Sequence, residues 1–499
     1  MSISTVVVAG AGPTGLALAC ALRAGGVPVR VLDKASGPSL TSRALALQPR
    51  GAEVLDRLGA LGDLPQRAIP IRQVITHVDG IPVARLRVGG RTKLVTRPGL
   101  LMSQAEIEAL LRRRLSEVGG EVEWGQELLA ADQDSQGVTI TLPGGRLRAD
   151  WLVGCDGAHS QVRKASGIGF PGVPVIERFL LADVRAELAL PRDAVSVWLR
   201  GDQMLGVFPL PGEDMWRLMA PAPEGASERA DTPAVLAPLI EALQNETRLA
   251  VEVRETVWTS TFRIHRRLAS TYRQGRILLG GDAAHIHSPF GGQGLNTGLG
   301  DAENLAWKLS LVASGHAHED LLDTYEAERR PIAEEVLKST SAMTRMIVGR
   351  SLTARALRDH LFVPLMNRQL IQRMIWETAS QLKVSYRRAP LARRRLPAIG
   401  RRPGDRVPDL ECVRQDGSPT RLHAELGWRW ALLAPATSGE TAAIAQRHLG
   451  EENSALLTPT DTGRNVLLVR PDGHLAWSGT SPAALDRWLT RMRGVGRTP

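Results

Sequence analysis

TVVVAGAGPTGLALACALRAGGVPVRVLDK occupies residues 5–34. Thr5–Ala9 is a short apolar run of the kind that forms a buried strand. GAGPTG follows, with Gly10, Gly12 and Gly15 at GxGxxG spacing, and LALACALRAGG reads as a helix that stops on glycine. VPVRVLDK is a second strand that closes on Asp33. In this setting the glycines permit, in turn, a tight turn, close approach of backbone to a pyrophosphate, and tight helix–sheet packing. Pro13 and Thr14 open the helix, whose N-terminus faces the phosphates. Asp33 stands where an acid accepts hydrogen bonds from an adenosine ribose. An acid there disfavours a 2′-phosphate and leaves NAD or FAD as the ligand. The stretch predicts a Rossmann-like α/β dinucleotide-binding domain.

Two later segments have the same strand-then-glycine form. Residues 148–164, RADWLVGCDGAHSQVRK, run from a strand into Asp156-Gly157 and on to Arg163. Residues 276–309 run from the strand RILLG to Gly281-Asp282, through a glycine-rich turn, into a helix that starts near Gly294. The HxH of His285 and His287 invites a metal reading. Residues two apart share a face only on a strand, and no further ligand falls at suitable spacing, so no metal is expected. Asp301 and Glu303 on the following helix are expected to pair with arginines or to cap local structure.

The chain has 499 residues, too many for one core, and 43% of them are hydrophobic; two or three globular domains are expected. No apolar run approaches the ~20 residues of a membrane span. The N-terminus enters a strand-like run with no basic leader, and a cytoplasmic protein without a membrane partner is expected. Cys20, Cys155 and Cys412 are far apart and form no CxxC, which argues against thiol–disulfide chemistry. The net charge of +10 comes with arginine clusters such as 112–114 and 393–395. With no nucleic-acid motif beside them, they read as a solvated surface that attracts an anionic coenzyme.

The three segments, in this order, resemble the fingerprints of the group A flavoprotein monooxygenases, the fold of p-hydroxybenzoate hydroxylase. GAGPTG, CDGAHSQVR and GGDAAHIHSPFGGQG stand for its GxGxxG, DG and GD motifs. SRALALQPR carries Arg43, and LMSQAEIEALL carries Gln104, at the family's flavin-contacting arginine and glutamine. The resemblance covers about residues 3–390. It implies FAD held by Gly10, Gly12, Pro13, Thr14, Gly15, Asp33, Lys34, Arg43, Gln104, Leu128 and Asp156, and by Asp282 on the ribityl chain. It further implies that Pro289, Phe290, Gly291 and Gly292 pass the reacting edge of the flavin, and that Gly294, Leu295 and Asn296 face its pyrimidine side. Arg43, Pro289, Gly291 and Gly292 are the residues expected beside the chemistry. Asp156 and Arg163 are expected to help a transient NADPH or NADH, since no second GxGxxG exists.

Residues 176–268 alternate short apolar runs with turns and read as the strands of one mostly antiparallel sheet. In the family such a sheet covers the flavin and forms the substrate pocket; Trp198, Phe208, Trp216 and Trp258 are its large side chains. The chain has three tyrosines, Tyr272, Tyr325 and Tyr386, none in this sheet. The pocket tyrosine by which several family members deprotonate a phenol therefore has no counterpart, and the substrate either ionises unaided or uses His265, Arg263 or water. After residue 390 an Arg/Pro-rich linker (391–404) leads to residues 405–499. Their order resembles the thioredoxin-like C-terminal domain of phenol hydroxylase and the aromatic polyketide hydroxylases, without CxxC. RPDGHLAW there is a hairpin signal.

The expected architecture is α/β: a FAD-binding domain (1–175 and 269–390), a substrate sheet (176–268), the linker and a thioredoxin-like domain for packing or dimerisation. The implied enzyme, a monomer or homodimer, is an FAD-dependent NAD(P)H:O2 monooxygenase. It would hydroxylate an electron-rich (poly)cyclic aromatic, such as an aromatic polyketide or antibiotic-like phenol, through a flavin C4a-hydroperoxide. Alternatives are Baeyer–Villiger oxygenation of a related ketone, or a FAD-binding protein that shelters a reactive intermediate.

Overall fold

In a computed structural model the described residues are 4–41, 44–90, 92, 94–201, 203–223, 231–248, 251–287, 291–347, 352–392, 402–435, 439–460 and 465–494. The first strand, Val6–Ala9, lies between Val29–Asp33 and Trp151–Gly154, parallel to both. Ile277–Leu279 and Val122–Trp124 extend the sheet in parallel on either side, and Arg273–Gln274 closes one edge antiparallel. Val6–Ala9 and Trp151–Gly154 are buried throughout, as parallel strands covered on both faces must be. The helices Pro13–Ala24 and Gly294–Ala313 pack together, with the Gly25 backbone close against Ser310. The C-terminal edges of these strands therefore gather the GxGxxG, DG and GD turns at one end of the sheet.

The second sheet has eight strands, in the order 285–286, 253–268, 172–186, 215–221, 203–209, 194–200, 73–78 and 81–87. It is broader than residues 176–268. The hairpin 73–87 joins it by parallel pairing of Gln73–Val78 with Ala194–Leu199. The signal for that hairpin is Asp79-Gly80, whose φ values of 49° and 82° suit the tight turn that DG favours between strands. The helix Thr232–Thr247, capped by Asp231, covers one face: Leu180, Ala182, Val184, Trp198, Leu205, Val207, Trp216 and Leu218 pack against Val235, Leu239 and Leu243. Strand alternation sends Phe179, Asp183, Met204, Phe208, Arg217 and Met219 to the opposite face.

At the carboxyl end a third sheet orders its strands 419–421, 411–414, 454–459, 430–433, 466–469 and 475–479, with the single parallel pair 430–433/454–459. Helices Gly439–Leu449 and Pro482–Arg493 pack on one face. Cys412 is buried, and burial pushes its thiol up to about 11, so it is inert at neutral pH. Trp307 of the long helix meets Trp430 edge-on at 5.1 Å. The expected hairpin turn, Arg470–His474, is buried against that helix: Asn304 Nδ2 and Trp307 Nε1 donate to Asp472, and Arg470 forks onto Glu328 at 2.7 and 2.9 Å. Among the described residues no helix is long and apolar enough to cross a membrane.

This buried turn makes a pH prediction. Burial pushes the His474 imidazole down from 6.5 to about 4. Burial would raise Glu328, but Arg470 and Lys308 prevail and hold it at about 2, below 4.5. For both groups the unfolded chain binds more protons within the window, so stability falls as pH falls. The loss runs from about 6.5 to about 4 for His474, then from 4.5 to about 2 for Glu328. Denaturant melts across this range should show it, and His474→Gln should flatten the upper limb. A flat wild-type profile between pH 6.5 and 4 would contradict the assignment.

Candidate functional site

The three glycines of the first turn differ in what a side chain would meet. A Cβ on Gly10, where φ is +105°, would lie 2.3 Å from the Cys155 carbonyl oxygen, and one on Gly15 2.0 Å from that of Gly10. Gly10 and Gly15 are thus demanded by the chain itself. At Gly12, the N-cap of the Pro13–Ala24 helix, a Cβ would meet nothing within 4 Å. Empty space above a glycine at a helix N-terminus is what a bound phosphate needs. Asp33 accepts from Ala11 N–H at 2.7 Å and from Ala35 N–H at 2.8 Å; each carboxylate oxygen keeps a lone pair for a ribose hydroxyl. Lys34 is exposed, and Leu128 is a core residue. Gln104 starts a helix capped by Ser103 and donates to Glu108 Oε1 at 2.7 Å.

Thr14 joins this turn to the GD turn. Cβ atoms on Gly281 and Gly298 would come within 2.5 and 2.3 Å of its hydroxyl. Asp282 is exposed beside this seam, yet dense protein around it raises its carboxyl pKa by desolvation; His285 opposes the shift and Asp301 adds to it. Asp301 is 1% exposed and anchors the turn: it accepts from Gly281 N–H (3.1 Å), contacts His285 Nε2 (2.7 Å) and accepts from Arg329 Nε (2.7 Å). Burial alone would raise its pKa; His285 and Arg329 reverse that and keep it ionised. His285 is thus a partner of Asp301, and among the described residues no three potential ligands cluster as a metal site.

The DG residues are committed to their own turn. Asp156 accepts from Gln161 and Val162 N–H and from Ser160 Oγ, which caps the helix Gln161–Ala165. Arg163 donates to the carbonyls of Ala283 and Ala158 and lies 3.8 Å over the Phe170 ring. Its guanidinium ties the DG turn to the GD turn, so its polar contacts are structural.

Gly291 (φ +88°) and Gly292 (φ +59°) follow the GD turn, and a Cβ on Gly292 would fall 2.6 Å from that of Ala46. Asn296 secures this approach: its Oδ1 accepts from Gln48 N–H (2.8 Å), and its Nδ2 donates to the Ala46 and Gly292 carbonyls (3.1 and 2.8 Å). Its amide is therefore engaged with protein groups through both its oxygen and its nitrogen. Arg43, Pro289 and Phe290 lie outside the described residues.

Near this segment is the face of the eight-stranded sheet away from the Thr232–Thr247 helix, where Phe179, Met204 and Met219 are buried with Val363. Phe208 packs with Leu45, Ala46 and Leu101, alongside Met215 and Val197. Trp198 and Trp216 do not reach it. Trp198 stacks on His77 at 4.6 Å, and Trp216 donates from its indole to the Ala186 carbonyl; both belong to the core under the Thr232–Thr247 helix. Strand period fixes which residues alternate, but the position of that helix fixes which set is core. Trp258 is half-buried and lies 5.7 Å from the guanidinium of Arg217. Arg217, 2% exposed, forks onto Asp183 at 2.7 and 2.8 Å. Sequence reasoning misses this pair, although a charge at an inward position of an apolar strand is its visible signal. Arg263 is exposed, and burial first and the Arg267 guanidinium second lower the pKa of His265.

A mostly parallel α/β sheet with one glycine at a helix N-terminus open to a phosphate is the setting of a dinucleotide-binding protein. Comparison with known proteins gives the class. The FAD binding domain family matches residues 4–340, and the aromatic-ring hydroxylase C-terminal family matches residues 400–495. The chain is 34% identical to 6-methylpretetramide 4-monooxygenase from Streptomyces rimosus, over 95% of this chain and 90% of that one. It is 34% identical to rifampicin monooxygenase from Streptomyces venezuelae, over 98% and 97%. Among solved structures, anhydrotetracycline hydroxylase from Streptomyces rimosus matches with a TM-score of 0.80 and 33% identity, over 98% and 99%. The chain belongs to the FAD-binding aromatic-ring hydroxylases and is a flavin-dependent monooxygenase. The space above Gly12, the exposed Asp282 and the helix start at Gly294 fit FAD.

Proposed function

We propose that the chain hydroxylates an electron-rich polycyclic phenol of the aromatic polyketide class, with NADPH or NADH as transient reductant and O2 as co-substrate. The observation that carries this is the sheet face away from the Thr232–Thr247 helix: the half-buried Phe208, Trp258 and Phe262 share it with the buried Asp183–Arg217 pair, and Phe208 packs with Ala46, the neighbour of Gly292. Walls of this composition hold flat aromatic ligands, and a buried ion pair within them offers a phenol hydroxyl a partner. The antibiotic-directed activities in the relatives' names support the same substrate class.

In this reading Gly12, Pro13, Thr14 and Gly15 face the pyrophosphate, Asp33 the ribose, and Asp282 the ribityl chain. Gly291 and Gly292 line the reacting edge, where Arg43 and Pro289 also belong. Reduced FAD supplies an electrophilic oxygen derived from O2; the protein contributes position and exclusion of water. The sheet at the carboxyl end is read as a thioredoxin-like unit without redox chemistry.

Asp282→Ala should raise the FAD dissociation constant about tenfold or more, the cost of a lost charged hydrogen bond. Fluorescence titration measures it; an unchanged constant removes Asp282 from the ribityl site. Phe208→Ala should raise KM for the phenol and increase peroxide release. Trp198→Ala should instead lower stability by about 3–5 kcal/mol with KM unchanged. Equal KM effects would mean that both side chains line the pocket. The deciding experiment is aerobic NADPH oxidation across a panel of polycyclic phenols, with product mass. Stimulated oxidation with one oxygen atom gained is expected; oxidation that no phenol stimulates, with FAD bound, would overturn the substrate class.

A further inference from the structure

The buried turn of the C-terminal unit and the GD turn of the flavin site belong to one chain of contacts. Arg470, Asp472 and His474 are at most 2% exposed. The His474 ring packs on the Tyr386 ring at 4.3 Å, and the Arg470 guanidinium lies 5.0 Å from the same ring. Tyr386 OH accepts from Arg329 Nη1 at 3.0 Å. Arg329 Nε donates to Asp301, whose other oxygen accepts from Gly281 N–H. Arg329 Nη2 also donates to the Thr297 carbonyl, in the first turns of the helix that faces the flavin site. Every link is buried, so each bond acts in a low dielectric, and a displaced partner would leave an unsatisfied charge.

We propose that the Arg470–His474 turn is a positioning element for FAD. It fixes the ring of Tyr386, Tyr386 fixes Arg329, and Arg329 with Asp301 fixes the Gly281–Asp282 turn. This gives the C-terminal unit a role in the flavin site although it carries no redox group. The inference rests on FAD binding at the GD turn and is independent of the substrate class.

Three variants test it in the full-length chain: Tyr386→Phe, which removes the hydroxyl and keeps the ring; His474→Ala, which removes the packing partner; and Leu485→Ala, which opens the core of the C-terminal unit away from the contacts. For each, the FAD dissociation constant, the visible circular dichroism of bound flavin and the melting temperature of the apoprotein are measured. Tyr386→Phe and His474→Ala should weaken FAD about tenfold, matching the ~1.4 kcal/mol scale of one lost buried hydrogen bond, and change the flavin dichroism. Leu485→Ala should lower the melting temperature at least as much, with FAD affinity and dichroism as in wild type. A Tyr386→Phe protein with wild-type affinity and dichroism overturns the proposal. So does a Leu485→Ala protein that loses FAD in proportion to its lost stability, since the unit then acts through general stability alone. An Asp282→Ala protein that binds FAD with wild-type affinity would instead remove the GD assignment on which the proposal stands.

Discussion

Gly12→Val should yield a folded, colourless protein. Among the described residues, and apart from its chain neighbours, no atom lies within 4 Å of the position the new Cβ would take, and the residue's φ of −74° is one that valine adopts freely. The chain therefore has no reason to reject the substitution. The pyrophosphate does, because the isopropyl group would occupy its place at the helix N-terminus. FAD affinity should fall at least about a hundredfold, or about 2.7 kcal/mol. Apoprotein circular dichroism and melting should stay near wild type, with flavin fluorescence titration as the readout. Gly10→Val should fail earlier: its Cβ would overlap the Cys155 carbonyl at a backbone φ of +105°, and soluble protein should be lost. A Gly12→Val protein that retains FAD at wild-type affinity would mean that the pyrophosphate lies elsewhere.

Glu303→Ala should cost about 3–5 kcal/mol, the penalty for breaking a buried pair and leaving its partner charged. Glu303 is 1% exposed at its side chain and binds Arg50 at 2.9 Å and Arg57 at 2.5 Å, which are 6% and 0% exposed. Its removal leaves two buried guanidinium groups with Glu53 as their remaining carboxylate partner and takes away the ion pairs that tie the helix Pro49–Arg57 to the helix Gly294–Ala313. Glu123→Ala offers the contrast. The Arg30–Glu123 contact is as short, at 2.6 Å, but its side chains are 41% and 36% exposed, and solvent screening limits such a pair to about 0–1 kcal/mol. Chemical denaturation of both variants should separate them clearly; equal losses would mean that the Glu303 site hydrates when vacated.

Much of the flavin-binding part is readable because its constraints are local. Gly10, Gly12 and Gly15 fall within six residues, and Asp33 lies at the end of the next strand. The expectation that Asp301 and Glu303 pair with arginines also follows from charges placed on a helix that has to be buried. The substrate wall is less legible. Trp198 and Phe208 look equivalent in a strand pattern, and only the docking of the Thr232–Thr247 helix assigns the first to the core beneath it and the second to the opposite face. The protein partners of Asn296 and Asp156 are not visible in the sequence, because most of them are backbone groups, which carry no sequence signature. Arg470 and Glu328 are 142 residues apart; nothing in a single sequence joins them.

The hairpin of residues 73–87 has a consequence for engineering. It lies within the amino-terminal stretch that supplies the nucleotide fold, yet it forms two strands of the sheet behind the aromatic wall. The wall is therefore not a cassette that can be cut at residues 176 and 268 and exchanged with a relative. A graft of that segment alone would leave the Gln73–Val78 strand paired to a foreign strand in place of Ala194–Leu199, with His77 facing whatever replaced Trp198. Chimaeras meant to trade substrate preference must carry residues 73–87 along, and recombination libraries should show those two segments inherited together.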